Sequence, residues 1–132
     1  MVCVLFKYPF ERSDRMAEIN ASGYQSIRDY IQANWKYIEL RDGSGTPVLR
    51  ISPSDSRVSW THIAGSQTLE LTIVVKGVDA GITLPQEFAS SAIYDVASGG
   101  SAYSVETFST FTMEGTGDEL TVKHQIQVPK VI

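Results

Sequence analysis

The run TLELTIVVKG at residues 68–77 alternates strictly for most of its length. Leu69, Leu71, Ile73 and Val75 fall on one side of an extended chain and Thr68, Glu70, Thr72 and Lys76 on the other, with only Val74 out of phase. Period-two patterning of this kind predicts a half-buried strand. It recurs after residue 35. WKYIELR runs into the turn DGSGTP, and VLRIS returns from it as the second arm of a hairpin. Residues 57–62 place Val58, Trp60 and His62 on one face. Residues 103–113 place Tyr103, Val105, Thr107, Ser109, Phe111 and Met113 on one face and Phe108 on the other. Leu120, Val122, His124, Ile126 and Val128 oppose Thr121, Lys123, Gln125 and Gln127. Residues 85–96 fit a short helix begun by Pro85 or a strand from Ser91, and the strand is preferred.

One segment has helical spacing instead. Tyr24, Ile27, Ile31 and Trp35 recur at three- and four-residue intervals, and Ser22 with Gln25 has capping-box spacing. The expectation is a helix over residues 22–34 that lies on a sheet by its Tyr24–Ile27–Ile31 stripe and stops at Asn34. Residues 1–20 read as an arm: Phe6, Tyr8 and Phe10 surround a proline and need something to cover them, either the domain itself or a neighbouring chain. The whole, residues 1–132, reads as a single mainly β domain. It is an antiparallel sandwich or barrel-like body over residues 35–132, with one short amphipathic helix before it.

Composition narrows the function more than the fold. A length of 132 residues is enough to bury a core without disulfides or metal. A net charge of −4, with basic residues dispersed, argues against nucleic acid as a partner. The single cysteine, Cys3, permits no internal disulfide and reads as a reduced thiol. The apolar run at residues 2–6 is shorter than the roughly 7–15 residues of a signal core or the roughly 20 of a membrane span. The expectation is a protein made in the cytoplasm that does not enter a membrane.

Candidate chemistry is sparse. A nucleophilic hydrolase needs Ser, His and an acid together, and the two histidines, His62 and His124, sit in apolar phases with no nucleophile-elbow motif. Two histidines and one cysteine lack zinc spacing, and the acidic turns lack the ligand pattern of a calcium loop. No cofactor is expected. Carboxylates suited to glycoside hydrolysis (Glu39, Glu70, Glu106, Asp118 and Glu119) are scattered over several strands. Aromatics are the better clue. Trp35, Tyr37, Trp60, Tyr103, Phe108 and Phe111 offer a platform for sugar rings, although alternation assigns Trp60 and Phe111 to the core and leaves Trp35 and Phe108 as the exposed candidates.

Three features together carry a resemblance. The helix YQSIRDYI feeds into WKYIELRD; ISPSDSRVSWT follows; and a Thr- and Ser-rich β region closes on DELTVKHQIQVP. In this the chain resembles the small β-rich structural proteins of tailed bacteriophages and prophages: tail, neck, baseplate and head-decoration components. The resemblance implies a non-enzymatic virion part that associates with itself and docks on other virion proteins. Interface candidates are Phe6, Tyr8, Phe10, Trp35 and Phe108. The competing expectation is a carbohydrate-binding module for host-surface attachment, and a third is a small hydrolase.

Overall fold

A computed structural model describes residues 17–129. Helix α1 spans Ala21–Asn34, followed by β1 (Tyr37–Arg41), β2 (Pro47–Ile51), β3 (Val58–Trp60), β4 (Thr68–Lys76), β5 (Gln86–Tyr94), β6 (Ser104–Met113) and β7 (Glu119–Gln127). The strands form two antiparallel sheets, ordered β2-β1-β5-β6 and β3-β4-β7. These pack face to face as a sandwich, and neither closes into a barrel.

Strand β4 shows why the sheets stack. Leu69, Leu71, Ile73 and Val75 are each at most 2% exposed. They pair with Ile126, His124, Val122 and Leu120 across an unbroken register with β7, so one two-residue rhythm fills both strands' inner faces. Ile38 and Leu40 of β1 and Phe88 and Ile93 of β5 meet them from the other sheet. Each such side chain contributes roughly 1.5–3 kcal/mol on leaving water. Trp60 and Phe111 pack against this core, as alternation requires. Residues 86–94 are strand throughout.

Two local expectations are corrected. Helix α1 begins at Ala21 with Asn20 as its cap, and the Asn20 carbonyl accepts from the Gly23 and Tyr24 N–H groups. No capping box forms at Ser22. The Gln25 side chain instead donates to Asp29 Oδ1 (2.8 Å) and accepts from Arg28 Nη2 (2.9 Å). The inward stripe also turns. Ile31 is buried, but Ile27 is 39% exposed and Arg28 takes the inner position, donating to the Val128 carbonyl. An arginine can do this because its apolar stem packs while its head finds an acceptor. Asn34 does end the helix, its Nδ2 donating to the Tyr30 carbonyl.

The second correction lies in β6. Phe88 pairs with Phe111 but Ser90 with Thr107, so two steps on β5 face four on β6. At this irregularity the inward phase of β6 shifts by one residue: Phe108 is half-buried, Ser109 and Thr110 are both exposed, and Phe111 is half-buried again. Phe108 and Phe111 therefore both pack on the core, while Tyr103 and Val105 face outward. Phe108 is not an exposed platform residue.

Candidate functional site

The outer face of the four-stranded sheet carries an unusual burden. Alternation in β1 sends Ile38 and Leu40 inward and Glu39 and Arg41 outward, yet Glu39 is only 2% exposed. Register supplies the reason, because Glu39 lies between Arg50 of β2 and Ala92 of β5. Its carboxylate accepts from Arg41 Nε (3.0 Å), Arg50 Nη2 (3.0 Å) and the Tyr94 hydroxyl (3.0 Å). Burial by itself would raise its pKa; the bonds from Arg41, Arg50 and Tyr94 outweigh that and hold it below the ordinary carboxylate value. The Arg50 guanidinium stacks 3.4 Å from the centre of the Tyr94 ring. Its Nη1 also donates to the Val96 and Gly99 carbonyls (3.1 and 2.9 Å), tying down the loop at residues 95–101. That loop reverses through Gly99 and Gly100, both at positive φ (67° and 72°).

Next to this network is an apolar surface. Trp35, half-buried at the end of α1, lies 4.9 Å from Tyr103, centre to centre. Tyr103 is 49% exposed, Val105 53% and Tyr30 62%. The Tyr103 hydroxyl donates to Asp95 Oδ2 (3.2 Å), and this bond to a carboxylate raises its pKa. Val105 pairs with Ala92, which pairs with Glu39. A single row across the sheet therefore runs from the buried charges to the exposed hydrophobes. A ridge of exposed aromatic and aliphatic side chains on a rigid, charge-locked base can bind a flat apolar partner or the face of a sugar ring.

The histidines have structural partners. His124 is 1% exposed between the sheets, with Ser91 Oγ 2.7 Å from Nδ1 and Ser104 Oγ 2.8 Å from Nε2. A neutral imidazole has one donor and one acceptor nitrogen, and two hydroxyls satisfy both. Burial lowers its pKa, weakly opposed by Glu106. Neither nitrogen bonds a carboxylate. His62 Nδ1 accepts from the Glu70 N–H (3.2 Å), and its ring meets Trp60 edge-on at 5.6 Å.

Two cavities open elsewhere. One of about 300 Å³ is lined by Ser56, Arg57, Val74, Lys76, Asp79 and Glu119. Within it Arg57 is already bound to Asp55 and Asp79 (2.9 and 3.2 Å), and the Arg57 bonds bring the Asp55 pKa to about 2. The other, of about 180 Å³, lies between β6 and β7 and is lined by Glu106, Phe108, Leu120, Thr121, Val122 and Lys123. Among the described residues, no three His, Cys, Asp or Glu side chains group to hold a metal, and no helix is long and apolar enough to cross a membrane.

Of the residues singled out from sequence for an interface, Trp35 and Phe108 are both half-buried and pack against the core, Trp35 also meeting Tyr103 and Phe108 lining the cavity between β6 and β7. Phe6, Tyr8 and Phe10 lie outside the described residues. Sequence reasoning missed Tyr30, Val105 and the Glu39–Arg41–Arg50–Tyr94 network. Tyr30 was legible as an aromatic off the helix's apolar stripe. The network was not, because its members meet only through strand register. Comparison with protein-family models, curated proteins and solved structures finds no match.

Proposed function

We propose that this chain is a non-catalytic structural or assembly protein that works by associating with itself and with other proteins, in the manner of the small β-rich virion parts that its sequence resembles. One observation carries the reading: the exposed surface formed by Tyr30, Tyr103 and Val105 beside Trp35. Contiguous apolar surface on a soluble fold marks a contact site, and Tyr and Trp are the side chains that most often anchor one. The locked charges beside it supply the rigidity a building block needs. Sedimentation velocity over a concentration series tests the reading. Discrete association is expected, weakened at least tenfold by Tyr103→Glu. A protein that stays monomeric at every concentration would contradict it.

A second reading, a saccharide-binding face, is favoured by the Tyr103–Asp95 hydrogen bond, which sets a carboxylate beside an exposed ring. Glycan-array binding that is lost in both Trp35→Ala and Tyr103→Ala supports it. An array with no signal removes it.

A further inference from the structure

Among the described residues the two sheets have four edge strands, and these are not equally guarded. Strand β2 opens with Pro47, β3 has three residues, and β6 breaks register at its bulge. Each of these features discourages another strand from pairing there. Strand β7 differs: it keeps nine consecutive pairs with β4 and has no proline.

At residue 125 its outer edge is capped by a side chain. The Gln125 N–H points away from β4 and is accepted by Glu106 Oε1 (3.0 Å). By the two-residue period of an antiparallel ladder, the N–H groups of Lys123 and Thr121 point the same way. Among the described residues, the stretch at residues 119–123 therefore presents edge amides without the carboxylate cap. That same stretch borders the cavity of about 180 Å³ lined by Phe108, Leu120 and Val122. A cavity of roughly 150 Å³ holds a benzene-sized group. A strand laid on this edge would thus gain backbone hydrogen bonds and a place for one apolar side chain.

The chain carries a segment of matching chemistry. Residues 2–6, VCVLF, are five uncharged apolar residues, and the three β-formers among them, Val2, Val4 and Phe6, fall on one side of an extended chain. Five residues of strand cover about 17 Å, the length of edge at residues 119–123. Ten further residues separate this segment from the first described one and can span up to roughly 33 Å, so the segment is not held close to residue 17 of its own copy.

We infer that residues 2–6 of one copy add as a strand to the β7 edge at residues 119–123 of a second copy, with an apolar side chain entering the Phe108–Leu120–Val122 cavity. The inference rests on the self-association reading and names its second contact. Strand addition of this kind draws affinity from main-chain bonds and specificity from the pocket.

The chain supplies its own probe, since Cys3 is its only cysteine. Full-length chains, half of them ¹⁵N-labelled, are mixed and treated with a short thiol–amine cross-linker. An isotopically mixed Cys3–Lys123 link is expected as the main product, reduced at least tenfold when both partners carry Val4→Asp and Leu5→Asp. Chains that associate by sedimentation but link Cys3 to Lys36 or Lys76, or only within one copy, overturn the inference and leave self-association standing. Chains that do not associate at all overturn both.

Discussion

The two outer faces of the sandwich invite comparison. On the three-stranded sheet, the polar side chains of β4 bond along their own face. Thr61 Oγ1 donates to Glu70 (2.7 Å) and lies 2.7 Å from Thr72 Oγ1, and Gln125 Nε2 donates to Glu70 (2.9 Å). This is the ordinary way a half-buried sheet meets water. On the four-stranded sheet the outer face buries a carboxylate under two arginines and then exposes aromatics beside it. The strand with the cleanest alternation thus presents the plainer surface. The face that departs from the pattern carries the buried charges and the exposed aromatics, and a departure from local rules is what singles out a candidate site.

The largest expected effect separates the faces by stability. Glu39→Ala leaves Arg41 and Arg50 without their buried partner and should cost about 3 kcal/mol in urea unfolding. Glu70→Ala on the other sheet should cost at most about 1 kcal/mol. Equal losses would erase the distinction. Acid sharpens it. The depressed Glu39 pKa means its contribution is fully present above the unfolded carboxyl value, near 4.3, and fades as pH falls below that.

A smaller effect belongs to the interior. His124 is held neutral by burial, so its folded pKa lies below the unfolded value of about 6.5. Below that pH the unfolded chain binds the proton more readily. Stability is therefore complete above about pH 6.5 and declines as pH falls through it, by at most about 1.4 kcal/mol per unit. Thermal unfolding between pH 7 and 5 should show this slope in the natural protein and a flatter one in His124→Gln. An unchanged slope would assign the proton elsewhere.

The smallest expected effect on folding is also a pointed one. Val105→Thr and Val74→Thr each change stability by less than about 0.5 kcal/mol. Only the first should weaken self-association, by several-fold. Weakening by Val74→Thr instead would move the contact to the other sheet.

How much of this was legible in the sequence follows from which signals are local. Alternation in β4 and β7 gave both strands and their inner faces correctly, because their register runs unbroken. In β6 the same rule misplaced Phe108, since nothing in SVETFSTFTM announces a bulge that depends on how β5 pairs with it. Helical spacing located α1 to within a residue but turned its face toward Ile27, because no propensity foresees an arginine meeting the Val128 carbonyl a hundred residues away. Trp35 and Tyr103 were visible as aromatics. Their meeting, and the convergence of Glu39, Arg41, Arg50 and Tyr94, depend on strand order, and period-two patterning carries no information about order.

Oxidative footprinting across a concentration series tests most directly whether the aromatic side of the four-stranded sheet is the contact surface proposed for it. As the protein associates, Tyr30, Tyr103 and Val105 should lose reactivity while Val74, on the outer face of the other sheet, keeps its own. Reactivity that is unchanged at all three residues, or protection that falls on Val74 instead, would contradict the claim.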